Sequence, residues 1–277
     1  MLDKRITSSE NRWVKMARAL HSARGRAKHR AFLVEGTRAA CEAVSSGRAL
    51  ACLIDEAEAN RASVAGVMAL VGQASVETLL VEPMLFASLC ETASPQGALL
   101  IVSDIALPLV TLLNAKPQLV VVADGLQDPG NMGTLIRLAD GVGAAALVAT
   151  EGSVDLYNAK VVRSSMGSIF HLPIAQNVPV ASLLSLLSAS GYSVVAADPR
   201  GTSVHYDFRY QVPLAVVFGN EGAGLSPLWR ESAQLVRIPL WGRAESLNVS
   251  ISAGVLLYEI VRQWQGQLLV PESAPML

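Results

Sequence analysis

The sequence predicts a mixed α/β protein of two consecutive units, a smaller one followed by a larger one with a mostly parallel sheet. Three observations predict it. Short apolar, strand-like runs recur along the chain with helical patterns between most of them. Leu119 to Ala123 is a continuous, β-branched run, the pattern of a central parallel strand covered on both faces. With 277 residues and 51% hydrophobic content, the chain is long and apolar enough to bury two moderate cores.

The elements follow in order. Ser8 or Ser9 is the expected cap of a first helix, whose Trp13, Met16, Ala17 and Leu20 recur at helical spacing opposite a basic face. The stretch from Arg24 to Arg30 reads as a turn, Ala31 to Val34 as a strand, and Glu35-Gly36 as the entry to a helix reaching about Val44. Further strands are expected at Ala51 to Ile54, Val76 to Val81 and Ala98 to Val102, so that residues 1–104 form one α/β domain. Residues 105–117, where Pro108 and Pro117 bracket an apolar run, connect to a second domain, 118–277. Its strands are expected at Leu119 to Ala123, Ala144 to Ala149, Tyr192 to Ala197, Leu214 to Phe218 and Leu235 to Pro239, with crossover helices between most of them.

Charge is unevenly distributed. Residues 1–30 hold nine Lys or Arg against Asp3 and Glu10, a net of +7 on a chain whose total is −1, which leaves −8 for the rest. Such an arm, with Arg24, Arg26, Lys28 and Arg30 at its end, suits a polyanion, because neutralising phosphates releases counterions. The alternative is a solvated helix face with a flexible turn. No apolar stretch reaches the roughly 18 residues of a membrane span, and the N-terminus lacks a secretory signal core, so a cytoplasmic location and no membrane partner are expected. Cys41, Cys52 and Cys90 are odd in number and lack metal-type spacing; they read as reduced, packed thiols, with no metal expected.

Three segments carry the chemistry, each close to a strand end. In Asp128 to Arg137 (DPGNMGTLIR), a tight turn leads into a helix that Asn131 is placed to cap. Arg137 lies further along it, positioned either for phosphate or to pair with Asp140. In Phe218 to Ser226 (FGNEGAGLS), Gly219, Gly222 and Gly224 let backbone approach a ligand, and Ser226-Pro227 opens another helix. Their spacing differs from the dinucleotide-binding pattern, which disfavours a nicotinamide enzyme. Glu221 is either a turn residue or a placed acceptor. In Ile238 to Ser250 (IPLWGRAESLNVS), Ser246 or Asn248 caps the next helix, leaving the other free for a ligand. Ile238 and its neighbours offer apolar and backbone surface suited to an adenine ring.

Together the segments resemble motifs one, two and three of the SpoU (TrmH-like) family of RNA ribose 2′-O-methyltransferases, in the SPOUT class. Residues 155–167, with Phe170, Leu172 and Pro173, are similar to the family's stretch between motifs, and Phe32 to Gly36 resembles its N-terminal substrate-binding domain. The resemblance covers nearly the whole chain in order and spacing.

It implies a parallel sheet closed by a deep trefoil knot, preceded by a smaller, ribosomal-protein-L30e-like α/β domain that binds RNA. The implied reaction is methyl transfer from S-adenosyl-L-methionine to a ribose 2′-hydroxyl of RNA. Ribosomal RNA is the expected substrate and transfer RNA the alternative; a non-catalytic RNA- or ribosome-binding protein of the same fold is a further one. The implied catalytic residues are Asn131, Arg137, Glu221, Ser246 and Asn248, and Gly219, Ile238 and Leu247 are the implied cofactor contacts. On this reading Asn131 orients the ribose or supports Arg137, which holds phosphate. A homodimer is also implied.

Overall fold

A computed structural model describes residues 4–264. In chain order the elements begin with β1 (Lys4–Ile6), α1 (Arg12–Leu20), α2 (Ala23–His29), β2 (Ala31–Glu35), α3 (Thr37–Ser45), β3 (Ala49–Asp55), α4 (Ala62–Gln73), β4 (Glu77–Val81), α5 (Pro83–Ala87) and β5 (Ala98–Ser103). They continue with α6 (Leu109–Asn114), β6 (Leu119–Asp124), α7 (Pro129–Gly141), β7 (Ala146–Thr150), α8 (Ala159–Ser164), β8 (Ile174–Val178), α9 (Val180–Ala189), β9 (Ser193–Ala197), β10 (Ser203–Val204), β11 (Leu214–Gly219), α10 (Pro227–Ser232), β12 (Gln234–Arg237) and α11 (Val249–Trp264).

The chain packs as two compact units. The first comprises residues up to Ile105 together with Asp155–His171. Its sheet has the order β1-β4-β3-β5-β2, with β5 antiparallel to both β2 and β3. Leu33, Leu53, Leu79, Leu99 and Ile101 fill one face of that sheet, and Val14, Ala17 and Leu20 of α1 pack onto them. Two local readings change here. The cap of α1 is Asn11, whose side chain accepts the Trp13 N–H at 2.8 Å, in place of Ser8 or Ser9. The expected turn at 24–30 is the helix α2, capped by Ser22 through Gly25 N–H and closed by Arg30 in the left-handed conformation.

Residues 155–171 lie between β7 and β8 in the chain, and contiguity assigns them to the second domain; they pack instead in the first unit. The reason is aromatic and ionic. Phe32, fully buried, stacks on Tyr157 at 4.4 Å and lies 6.1 Å from Phe170. The Arg26 guanidinium, only 10% exposed, pairs with Asp155 at 2.7 Å.

The second unit comprises Ala106–Val154 and the chain from Leu172 onward. Its seven-stranded sheet is parallel throughout, in the order β10-β12-β9-β11-β6-β7-β8. Central strands β6 and β11 are apolar and buried almost without interruption, because helices cover both faces of a parallel sheet. Strands β1, β8 and β10 were not expected. β1 and β10 are too short to show alternation, and β8 carries the polar pair Gln176 and Asn177. The expected connection 105–117 holds the helix α6.

From β6 the chain steps outward through β7 to β8, then crosses to β9 on the far side of β11. Carboxyl ends of strands beside such a reversal form a crevice in open parallel sheets. The three sequence motifs all emerge near this point.

Candidate active site

At the carboxyl ends of β9, β11 and β12 lies a cavity of about 410 Å³, within the roughly 300–1,000 Å³ usual for small-molecule sites. It is lined by Gly219, Glu221, Ile238, Ser246, Leu247 and Asn248 of the sequence-predicted set, together with Asp198, Phe218, Leu225 and Leu240. Its walls mix apolar side chains with polar groups.

Gly219 ends β11, and its place is sterically fixed. A Cβ there would lie 2.6 Å from the Gly224 carbonyl carbon and the Leu225 nitrogen, so only glycine lets the following loop fold back this closely. Asn220 and Gly224 exchange two backbone hydrogen bonds of 3.0 Å across that loop, with Gly224 at φ +70°. The Asn220 side chain knits the rest: Oδ1 accepts the N–H groups of Gly222 and Ala223, and Nδ2 donates to the Gly125 carbonyl at 2.7 Å.

Beneath the loop, the buried Asp124 carboxylate at the end of β6 accepts the Ser226 N–H at 2.7 Å and the Thr150 hydroxyl at 3.2 Å. Ser226 precedes Pro227 at the start of α10, as expected, but its own side chain makes no capping bond; Asp124 satisfies its N–H.

Glu221 joins the second motif to the first. Its carboxylate accepts the N–H groups of Gln127 and Asp128 at 3.3 and 3.2 Å and the Asn131 amide at 3.1 Å. Partial burial pushes its pKa up, but the hydrogen bonds from Asn131 and the backbone outweigh it and hold the carboxyl below its ordinary value. Asn131 in turn accepts on Oδ1 from Asn248 Nδ2 at 3.1 Å and from the Ser250 hydroxyl at 3.2 Å. All three motifs thus meet on one side chain.

This corrects one reading of Asn131. It is not the cap of α7: Asp128 is, accepting the Asn131 N–H at 2.8 Å, with Pro129 in the first turn. Its side-chain amide instead bonds Glu221, Asn248 and Ser250, which leaves one of its two Nδ2 hydrogens unused in these bonds. Of the two candidate caps for α11, Asn248 fills the role through Ser250 N–H at 2.9 Å, while Ser246 is exposed at the cavity.

Arg137 stands apart from this network. It is exposed on the same side of α7 as Thr134 and Gly141, and among the described residues it makes no ion pair, including none with Asp140. In the basic arm, Arg24, Lys28 and Arg30 are exposed, whereas Arg26 is taken up by Asp155 and by the carbonyls of Leu20 and His21.

Asp124, Asn220 and Ser250 were missed from the sequence. Asn220 and Ser250 lie inside motifs and Asp124 just before one, but what reveals them is burial and partner, neither of which a residue type discloses. Asp198 was missed as well: it lines the cavity, and hydrogen bonds from Arg200 hold its carboxyl below the usual range against the effect of burial. No group of three or more His, Cys, Asp or Glu able to hold a metal occurs among the described residues, and none of their helices is long and apolar enough to cross a membrane.

Two family models match the chain: the SpoU rRNA Methylase family over residues 118–258 and the MRM3-like substrate binding domain over residues 11–100. A 23S rRNA (guanosine(2553)-2′-O)-methyltransferase, RlmP of Bacillus subtilis (strain 168), is 32% identical over 93% of this chain and 99% of its own. The crystal structure of the SpoU methyltransferase AviRb from Streptomyces viridochromogenes in complex with AdoMet superposes with a TM-score of 0.82 at 32% identity, covering 92% of this chain and 98% of that one. An AdoMet-bound rRNA methyltransferase from Sinorhizobium meliloti has the same TM-score at 31% identity, over 93% and 97%.

Because the Glu221 carboxyl titrates below its ordinary value of 4.5, its contribution to stability is fully present above that pH and is lost as pH falls through the lowered folded value. Glu221→Gln should therefore lower the melting temperature at pH 7 by about 1–3 °C, the scale of one partly exposed charge-assisted cluster. The difference from wild type should shrink below pH 4.5 in a calorimetric pH series.

Proposed function

The chain belongs to the SpoU rRNA methylase family, and from that premise we propose that it transfers a methyl group from S-adenosylmethionine to a ribose 2′-hydroxyl of ribosomal RNA. The observation that carries the reading is the cavity whose two glycine- and polar-rich loops are tied to α7 through Glu221, Asn131 and Asn248. The residues present fit the cofactor. Gly219 lines the cavity and lets the loop after β11 fold back beside it, and Ile238, Leu240 and Leu247 offer apolar walls to a flat ring. Bound there, S-adenosylmethionine supplies an electrophilic sulfonium methyl group.

The chain's own residues bind and orient. Glu221, ionised and already accepting three hydrogen bonds, braces the loops and is a poor proton acceptor. Asn131 holds Glu221 and Asn248 in register. Ser246, exposed at the cavity, is the polar group left to meet the incoming ribose. Arg137, whose exposed guanidinium offers five N–H donors and no acceptor, holds the substrate phosphate and offsets the charge developing on the attacking oxygen. The hydroxyl proton passes to that phosphate or to a neighbour. Because the bound cofactor would supply the reactive methyl group, orienting the ribose and its phosphate would be the main catalytic contribution of these residues.

The first unit serves as the RNA-binding domain, with Arg24, Lys28 and Arg30 as phosphate contacts and Arg26 as a structural residue. The segment after β12, a strand beyond β9, returns to place α11 against α7; this crossing supports a trefoil knot around residues 238–248. Ile251, Val255 and Tyr258 form an exposed apolar face at helical spacing on α11, which supports a homodimer. We place the enzyme in the cytoplasm, with its RNA.

Incubating the full chain with tritiated S-adenosylmethionine and ribosomal RNA from cells lacking the gene should label 2′-O-methylated nucleotides. No cofactor binding by calorimetry would favour the non-catalytic alternative, and label in transfer RNA alone would move the substrate. Arg137→Ala should keep cofactor affinity and lose about 10²–10³-fold in kcat/KM, the scale of one transition-state charge contact; near-native turnover would contradict its role. Replacing Arg24 and Lys28 with Ala should weaken RNA binding and reduce the slope of log affinity against log salt by about 1.5, for two phosphate contacts.

A further inference from the structure

The chain has four tryptophans, and three are packed: Trp229 and Trp264 are buried and Trp13 is half-buried. The fourth, Trp241, is 88% exposed, the most exposed large hydrophobic side chain described. It follows Leu240, a cavity-lining residue, and opens a run from Trp241 to Glu245 in which every residue is exposed; the run then reaches Ser246, which lines the same cavity. An indole left in water forgoes the burial of its apolar surface, and no described residue of this unit covers it. Trp241 thus adjoins a cavity-lining residue in sequence while its side chain stands in solvent.

We propose that Trp241 is a stacking platform for an unpaired base of the RNA substrate, at or next to the nucleotide that is methylated. The inference rests on the RNA methyltransferase reading of the same cavity. A ribose delivering its 2′-hydroxyl there must bring its own base, or a neighbour's, to the rim. One Cα step, about 3.8 Å, separates Trp241 from a lining residue, so the indole is within reach of that base. Sequence-tolerant recognition of single-stranded RNA relies on aromatic faces of this kind, since every base has a π surface. The surroundings favour nucleic acid over a second copy of the chain. Arg243, two residues on and exposed, supplies a cation for the adjoining phosphate, and Gly242 lets the loop adapt. The apolar face of α11, with Ile251, Val255 and Tyr258, is a separate feature on a helix.

The test uses the full chain and ribosomal RNA from cells lacking the gene, with an unstructured RNA 12-mer and its fully abasic counterpart as binding probes. Trp241→Ala should raise KM for ribosomal RNA about tenfold, as expected for one lost stacked base, with kcat and S-adenosylmethionine affinity unchanged. Trp241→Phe should restore affinity to within about threefold. The 12-mer should quench intrinsic fluorescence in wild type, and most of that quenching should be absent in Trp241→Phe. The Ala variant should bind the abasic oligomer as wild type does and keep its salt slope. An unchanged KM, equal losses for the 12-mer and its abasic counterpart, or a change in sedimentation showing that Trp241 seals a dimer would overturn the proposal. If wild type binds cofactor and methylates RNA while Trp241→Ala is silent, only the stacking fails. If wild type does neither, the enzymatic reading fails with it.

Discussion

The side-chain amide of Asn131 is the constraint on which the second unit's site depends. Its Nδ2 donates to Glu221 in the loop after β11, and its Oδ1 accepts from Asn248 and Ser250 at the start of α11. Those two segments supply most of the cavity lining, yet they are about thirty residues apart and belong to different crossovers. A loop that leaves a strand end without helix or ladder bonds has little reason to hold one conformation. Asn131 removes that freedom from both at once, and Asp128 fixes Asn131 by capping its helix. An amide suits the position because it donates on one side and accepts on the other; a carboxylate there would face the Glu221 carboxylate with a second negative charge.

A second tier of contacts holds the hub in place. Asp124 lies at the end of the central strand β6, buried, and fixes the start of α10 through Ser226 and the end of β7 through Thr150. Asn220 closes the loop after Gly219 onto Gly125. The polar groups that define the cavity therefore rest on polar groups at the ends of buried parallel strands. This ordering explains why glycine is demanded at Gly219, where backbone meets backbone, but is less constrained at Gly222, whose added Cβ would meet only the Asn220 Oδ1 at 3.7 Å.

Much of this was legible in the chain. Continuous apolar runs such as Leu214 to Phe218 announced buried parallel strands, because helices on both faces leave no polar side to alternate with. Glycines beside those runs announced tight loops at strand ends, and Gly219, with Ile238 and Leu247, lies on the cavity wall there. What remained hidden was direction and partnership. Asn131 looks like a helix cap because it follows a turn, yet Asp128, three residues earlier, also satisfies the rule and wins, freeing the Asn131 side chain for tertiary contacts. Arg26 is indistinguishable in composition from Arg24 and Lys28, but α2 turns it toward Asp155, 129 residues away. Residues 155–171 illustrate the same limit at larger scale: no local signal tells that Tyr157 and Phe170 will stack with Phe32.

We propose that Asn131 acts by holding the cavity's two loops together, without contact to the ribose. Isothermal titration of S-adenosylmethionine into Asn131→Ala in the absence of RNA tests it most directly. Cofactor affinity should fall by about tenfold or more, since two hydrogen-bonded connections are lost and the Glu221 carboxylate loses a donor. Cofactor affinity equal to wild type, with turnover on RNA abolished, would contradict it and return Asn131 to the substrate side of the site.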